Sequence, residues 1–230
     1  MQNHFAASMG YIWRLIESNS NYNDNAISKI RAQPIEGIEL TFCKSERLVG
    51  CYLSKENDTF LTNLKYNSIH APTDCMIIDE QLEMMEVIYK KCNARNLVCN
   101  TKNIEAEKLL CYDMASSLEN ERDEDIDKLE KTLNKFDQLD FTFDLAHALD
   151  NSKEAAEKII DNLGHRITEV HFSIPTTSEP HYFCHTKHST VIETLKKVIM
   201  PDVVIVSEAV ISDFSELELF KNELTYLRSI

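Results

Sequence analysis

Short apolar runs alternate along the whole chain with longer stretches in which apolar residues recur every three or four positions. Eight of the short runs read as strands: HFAAS (4–8), GIELTFC (37–43), KYNSIHA (65–71), NLVCN (96–100), CYDMASSLE (111–119), FTFDLA (141–146), ITEVHFS (167–173) and VVIVSEA (203–209). The clearest helical patterns lie at 78–94, 124–136, 152–163, 190–199 and 215–227, each with charges between the apolar positions. Asn151-Ser152 supplies a cap before the third of these, and Gly164 is placed to end it. The region 45–63 is the least regular and gives only a weak helical signal.

Strands alternating with helices predict a parallel sheet. Several strand runs are apolar on both faces, as expected when helices cover one face and a barrel core fills the other. Eight units in 230 residues average about 29 residues each, near the lower end of the barrel size range. An open doubly wound sheet would want a glycine-rich first turn. The chain has only four glycines (10, 37, 50 and 164) and neither a G-x-G-x-x-G nor a P-loop pattern. The expectation is therefore a compact α/β fold, a (β/α)8 TIM barrel, forming a single domain over 1–230.

On that frame, four residues of metal-ligand type stand one per strand in the second half of the chain: Glu119, Asp144, His171 and Glu208, at intervals of 25, 27 and 37 residues. A parallel barrel gathers the carboxyl ends of its strands on one face, so this rhythm converges the four on one point. Three carboxylates and an imidazole suit Mn, Mg, Co or a similar divalent cation and are too oxygen-rich for a structural zinc site. Asp144 lies inside an apolar strand, where an uncompensated carboxylate is costly. Glu169 shares strand parity with His171 and would also point inward, as a partner of the ligands or as the mark of a local bulge. The polar segment 173–188 after the seventh strand carries His181, His185 and His188, of which His185 is the best candidate for a further ligand or substrate contact.

The bulk numbers narrow the function. A formal charge of −14 makes nucleic acid an improbable partner, because phosphate recognition draws on basic surface. No run approaches the 18 or so apolar residues of a membrane span, and the N-terminal segment lacks the pattern of a signal peptide. The seven cysteines (43, 51, 75, 92, 99, 111 and 184) form no C-x-x-C pair and read as reduced thiols of a cytoplasmic protein.

FDLAHA, with Asp144 and His147 in D-x-x-H spacing, resembles the sixth-strand motif of the xylose isomerase-like TIM barrels. EVHFS around His171 is similar to that superfamily's seventh-strand motif, SEA around Glu208 to its last-strand motif, SLEN at Glu119-Asn120 to its fifth, and NSIHAPT at His70 to its third. The resemblance covers nearly the whole chain in order and implies, in the sugar isomerase and epimerase branch, one divalent metal (Mn, Co, Mg, Fe, Ni or Zn) held by Glu119, Asp144, His171 and Glu208. A cation holding a carbonyl and an adjacent hydroxyl acidifies the intervening C–H and stabilises an enediolate. Glu119 and Glu208 would then remove and return a proton, as catalytic residues, on a small sugar or related polyhydroxy carbonyl substrate. His70, His147, Arg122, His185 and Lys187 are the candidate substrate-binding residues, and a homo-oligomer is compatible with such barrels. Endonuclease IV, a multi-metal phosphoesterase, is the alternative branch. It wants a histidine after strand four, where Asn100 stands, and an aspartate in the seventh loop, where Phe183-Cys184-His185 has none. A non-catalytic barrel with a vestigial metal site is the third reading.

Overall fold

The computed structural model describes residues 4–10, 12, 22–122, 125–177, 181–186, 196, 202–211 and 216–229. Its strands are β1 (His4–Ser8), β2 (Gly37–Thr41), β3 (Tyr66–His70), β4 (Asn96–Asn100), β5 (Ser116–Glu119), β6 (Asp140–Asp144), β7 (Ile167–Phe172) and β8 (Val204–Ser207). Each pairs in parallel with the next, and β8 closes on β1, giving a closed eight-stranded barrel. The described helices are α1 (Tyr22–Ile30), α2 (Ser45–Val49), α3 (Lys55–Thr62), α4 (Asp79–Lys91), α5 (Ala106–Leu109), α6 (Ile126–Lys135), α7 (Leu145–Asn151), α8 (Lys153–Leu163) and α9 (Leu217–Leu227). The fold is the expected (β/α)8 TIM barrel. The expected helix at 190–199 lies outside the described residues apart from Lys196.

Outward-facing strand residues make the main core. Ile38, Leu40, Ile69, Leu97, Phe141, Phe143, Val170, Phe172 and Ile205 are all essentially inaccessible and pack under the helices, with Leu82, Met85, Leu129, Leu133, Ile159 and Leu163 facing them. Among the described residues the apolar side chains inside the barrel are few: Val98, level with His70, is buried there, and Ala6, Tyr66, Val204 and Val206 form a small cluster. Above it the lining is polar: Ser8, Glu39, Ser68, Asn96, Ser117, Thr142 and Glu169 are all buried. TIM-barrel interiors are usually filled with branched apolar side chains, so this polar belt marks the interior as part of the site. Gly37 is required where it stands, because a Cβ there would lie 2.4 Å from the Tyr66 carbonyl oxygen.

Several boundaries differ from expectation. The stretch 111–115 is turn rather than strand, and Leu145 and Ala146 begin α7 because the Asp144 side chain accepts the His147 N–H at 2.8 Å and caps a helix there. Ser152 caps α8, but Gly164 is not left-handed (φ −54°), and the chain passes directly into a 3-10 turn, Gly164–Arg166. The 45–63 region holds two short helices, α2 and α3, the latter capped by Ser54. The cysteines form no disulfide; Cys92, Cys99 and Cys184 are buried and Cys111 is exposed. Among the described residues no helix is long and apolar enough to cross a membrane.

Candidate metal centre

Strand register sets the site. Asn100 is level with Glu119, and Asp144 with His171. Glu208 extends β8 by donating its N–H to the Phe172 carbonyl at 3.2 Å. Asn120 fixes the end of β6: its side chain accepts the Asp144 N–H at 2.8 Å and donates to the Asp144 carbonyl at 2.9 Å. As a result Glu119, Asp144, His171 and Glu208, all buried, bring one donor atom each to within 4.8 Å of one another.

His171 is fully buried, and its two ring nitrogens look in different directions. Nδ1 lies 2.6 Å from Glu119 Oε1 and 3.2 Å from Glu208 Oε1. Nε2 lies 3.0 Å from Glu39 Oε2 and 3.3 Å from Glu169 Oε1. Burial works against a charged ring there, but Glu208, Glu39 and Glu119 together hold the imidazole well above its usual range. Burial likewise opposes ionisation of Glu119, yet His171 and His70 hold its carboxyl well below the carboxylate range. Burial pushes Glu208 the other way, well above that range; Asp144, Glu39 and Glu119 add to the rise against the pull of His171.

Around the quartet, His70 donates Nδ1–H to the Ala71 carbonyl (2.9 Å) and turns Nε2 to Glu119 Oε2 (3.1 Å), which also accepts from Asn100 Nδ2 (2.7 Å). Although burial disfavours its charged form, Glu119 and then Glu39 raise the His70 ring to about 9. His147 donates Nδ1–H to the Asn120 carbonyl at 3.0 Å. It stands edge-to-face with His181, ring centres 5.5 Å apart, and with Asp144 these form a second group of three potential ligands. His181 bonds Ser173 Oγ through Nδ1 at 2.8 Å, and burial drives its pKa down to about 4.

A cleft of about 280 Å³ opens over this centre, lined by Thr41, Cys43, His70, Asn100, Glu119 and Glu208, with Lys102, Glu121, Arg122 and His147 at its sides. Arg122 reaches Asp150 (Nε–Oδ2 3.2 Å) and Lys102 reaches Glu121 (2.7 Å), so both cations at the cleft are held by acids. Of the expected substrate contacts, His70, His147 and Arg122 line the cleft. His185 does not: its Nδ1 is 2.6 Å from Glu223 on α9, and that carboxylate also accepts the backbone N–H groups of Cys184 and His185. Lys187 lies outside the described residues.

Of the described loop histidines, His181 is the one that reaches the centre, and the sequence names it only as one of three; His188 lies outside the described residues. Glu39 was also missed. Its signal is the one that singled out Asp144, a carboxylate inside an apolar strand, here in GIELT. Glu169 points inward as its parity predicts, and β7 also bulges: Phe141 pairs with Ile167 but Thr142 with Glu169, leaving Thr168 exposed.

The residues fit a divalent cation. Asp144 Oδ2 and Glu208 Oε2 are buried and accept no hydrogen bond among the described residues. His147 Nδ1 lies 3.3 Å from Asp144 Oδ2 without completing a hydrogen bond. A desolvated carboxylate oxygen that accepts none is costly, and a cation among the quartet would compensate both. The donor set, three carboxylates and one imidazole, suits hard to borderline divalent metals.

No protein-family model and no curated protein matches the chain. Solved structures do match over nearly its whole length. A D-tagatose 3-epimerase-like protein is 17% identical, with a TM-score of 0.63 and 98% of each chain covered. Endonuclease IV from Thermus thermophilus is 14% identical, with a TM-score of 0.60, covering 97% of this chain and 99% of that one. A xylose isomerase domain protein from Planctomyces limnophilus is 10% identical, with a TM-score of 0.58 and both chains fully covered. At these identities the likeness is one of fold: the chain has the fold of the xylose isomerase-like TIM barrels.

Proposed function

We propose that the chain is a divalent-metal-dependent isomerase or epimerase of a small sugar or related polyhydroxy carbonyl compound, working with one cation held by Glu119, Asp144, His171 and Glu208. The observation that carries the reading is the convergence of those four donors under a small polar cleft into which Glu119 and Glu208 both open. The cation, when bound, polarises a carbonyl and its neighbouring hydroxyl. Glu119 and Glu208 come from strands three apart around the barrel, at the end of β5 and just past β8. They serve as the base and acid that take a proton from the carbon between those oxygens and return it. His70 and His147 orient substrate oxygens, and Arg122, fixed by Asp150, binds the distal end.

The test is hydrogen exchange in D2O, followed by NMR, with Mn-loaded protein and a panel of ketoses and aldoses. The reading predicts solvent deuterium at a carbon next to the carbonyl of at least one compound. Glu119→Gln and Glu208→Gln should each slow it by about 10²-fold or more while keeping the fold. Exchange that is unchanged in both variants would exclude the assignment.

The Asp144, His147 and His181 group shares Asp144 with the quartet, and His70, Glu119 and His171 form another group. That overlap supports a second reading, a multi-metal phosphoesterase, now with His181 rather than His185 as the loop ligand. Two or three cations per chain, together with hydrolysis of a nitrophenyl phosphodiester, would favour it over the first.

A further inference from the structure

Beneath the quartet the barrel holds two more carboxyl groups that the proposed chemistry does not use, Glu39 and Glu169, both wholly buried and both close to His171 Nε2. Each is held from elsewhere. Glu39 Oε1 accepts the Ser8 hydroxyl at 2.7 Å. Glu169 accepts Tyr66 OH at 2.5 Å, Asn96 Nδ2 at 2.8 Å and Ser68 Oγ at 3.1 Å. The bulge at Thr168 brings Glu169 level with Thr142 and on the same inward face as His171. Glu169 Oε1 lies on the hydrogen-bond line of Nε2, whereas Glu39 Oε2 is nearer but off that line and accepts no hydrogen bond among the described residues. Both ring nitrogens face a pair of carboxyl oxygens, and without a cation each is an N–H donor. Only the pair at Nδ1, Glu119 Oε1 and Glu208 Oε1, belongs to the quartet. A cation bound there would take the place of the Nδ1 proton and leave Nε2–H facing Glu39 and Glu169.

We propose that Glu39 and Glu169 are positioning residues that hold His171 as its Nε2–H tautomer and so present Nδ1 to a cation in the quartet. The inference rests on the metal-binding part of the proposed function and is independent of the isomerase chemistry. The role is specific to these residues. Tyr66, Ser68 and Asn96 orient Glu169, Ser8 orients Glu39, and both carboxyl groups meet the ring at Nε2. Carboxylates hydrogen-bonded to a ligand histidine raise its basicity and set its orientation, and their removal typically lowers metal affinity about 10- to 100-fold.

The test uses the full chain, stripped of metal and titrated with Co²⁺ against a competing chelator, as wild type, Glu169→Gln, Glu39→Gln and the double variant. Each single change should weaken Co²⁺ binding by about tenfold and the double change by about 100-fold, with an altered visible Co²⁺ spectrum. Nitrogen shifts of His171 in the Zn²⁺-loaded wild type should show Nε2 protonated and Nδ1 metal-bound. Should the double variant fail to fold, Tyr66→Phe, which removes one donor from Glu169, is expected to weaken binding severalfold with the fold kept. Variants that fold and bind Co²⁺ within twofold of wild type overturn the inference alone, as does an Nδ1-protonated His171 in the loaded protein. A wild type that binds neither ion overturns this inference and the metal reading together.

Discussion

Five buried carboxyl groups, Glu39, Glu119, Asp144, Glu169 and Glu208, gather around the imidazoles of His70, His147 and His171. Even with all three rings charged the acids are in excess, and His181, driven down to about 4 by burial, adds no charge at neutral pH. Leaving buried charge uncompensated costs several kcal/mol per ion, so either protons or a cation must make up the balance. Without a cation the His70 ring serves as one compensating charge, facing Glu119, Glu39 and His171. Its folded pKa of about 9 lies above the unfolded 6.5, so the stability it contributes is fully present below about pH 6.5. It is lost as pH rises through about 9, and His171, also raised, acts in the same sense. Chelator-treated protein should therefore lose on the order of 2–3 kcal/mol between pH 6 and 9.5. Urea midpoints should fall over that range in wild type and less in His70→Asn, where His171 alone of the two remains. A wild-type midpoint that does not move with pH would contradict the assignment. Asp144 and Glu208 are legible as single residues because ionisable groups interrupt apolar runs, whereas His171 stands out only as one of the four. His181 is not legible, because its role depends on how the loop folds back: the Ile174–Tyr182 bridge and the bond from Val210 N–H to the His181 carbonyl set its position.

At the scale of elements, legibility followed length and period. α4, α6, α8 and α9 were all readable, each presenting a repeated apolar stripe such as Ile126, Leu129 and Leu133 in α6. Among its described side chains α1 buries the apolar Ala26, Ile27 and Ile30 between polar residues, and α2 and α5 are five and four residues long, too short for a helical period to register. β1 and β4 matched to the residue, because their apolar runs begin and end within the sheet. The contact that places the segment after β7 came from outside it. Glu223 on α9 accepts the N–H groups of Cys184 and His185 at 2.7 and 2.8 Å, and the His185 ring at 2.6 Å. Removing that carboxylate leaves two N–H groups without an acceptor, one of them on buried Cys184. Glu223→Ala should cost roughly 2–4 kcal/mol and lower the melting temperature by roughly 5–10 °C for a chain of this size. A calorimetric shift within about 2 °C of wild type would show that the helix does not hold the loop.

For the molecule as a whole, alternation of strand and helix was enough to point to a closed parallel barrel, and closure alone carries residues from β3, β5, β6, β7 and β8 to one mouth. The polar interior was harder to see. Ser8, Glu39, Ser68, Asn96, Ser117 and Thr142 sit at alternate positions of their strands, and in a sequence that pattern looks like a solvent-facing side. Only closure turns it inward, where Ser117 and Thr142 bond each other at 2.6 Å and Asn96 links Ser117 to Glu169. Such a belt gives the site a rigid polar floor, which a row of branched apolar side chains would not. The metal centre is tested most simply by the metal content of protein purified without chelator, measured by plasma mass spectrometry alongside an Asp144→Asn/Glu208→Gln double variant. About one divalent cation is expected per wild-type chain, and it should be lost from the variant. A wild type that holds no cation after reconstitution, or a variant that keeps it, would contradict the metal centre.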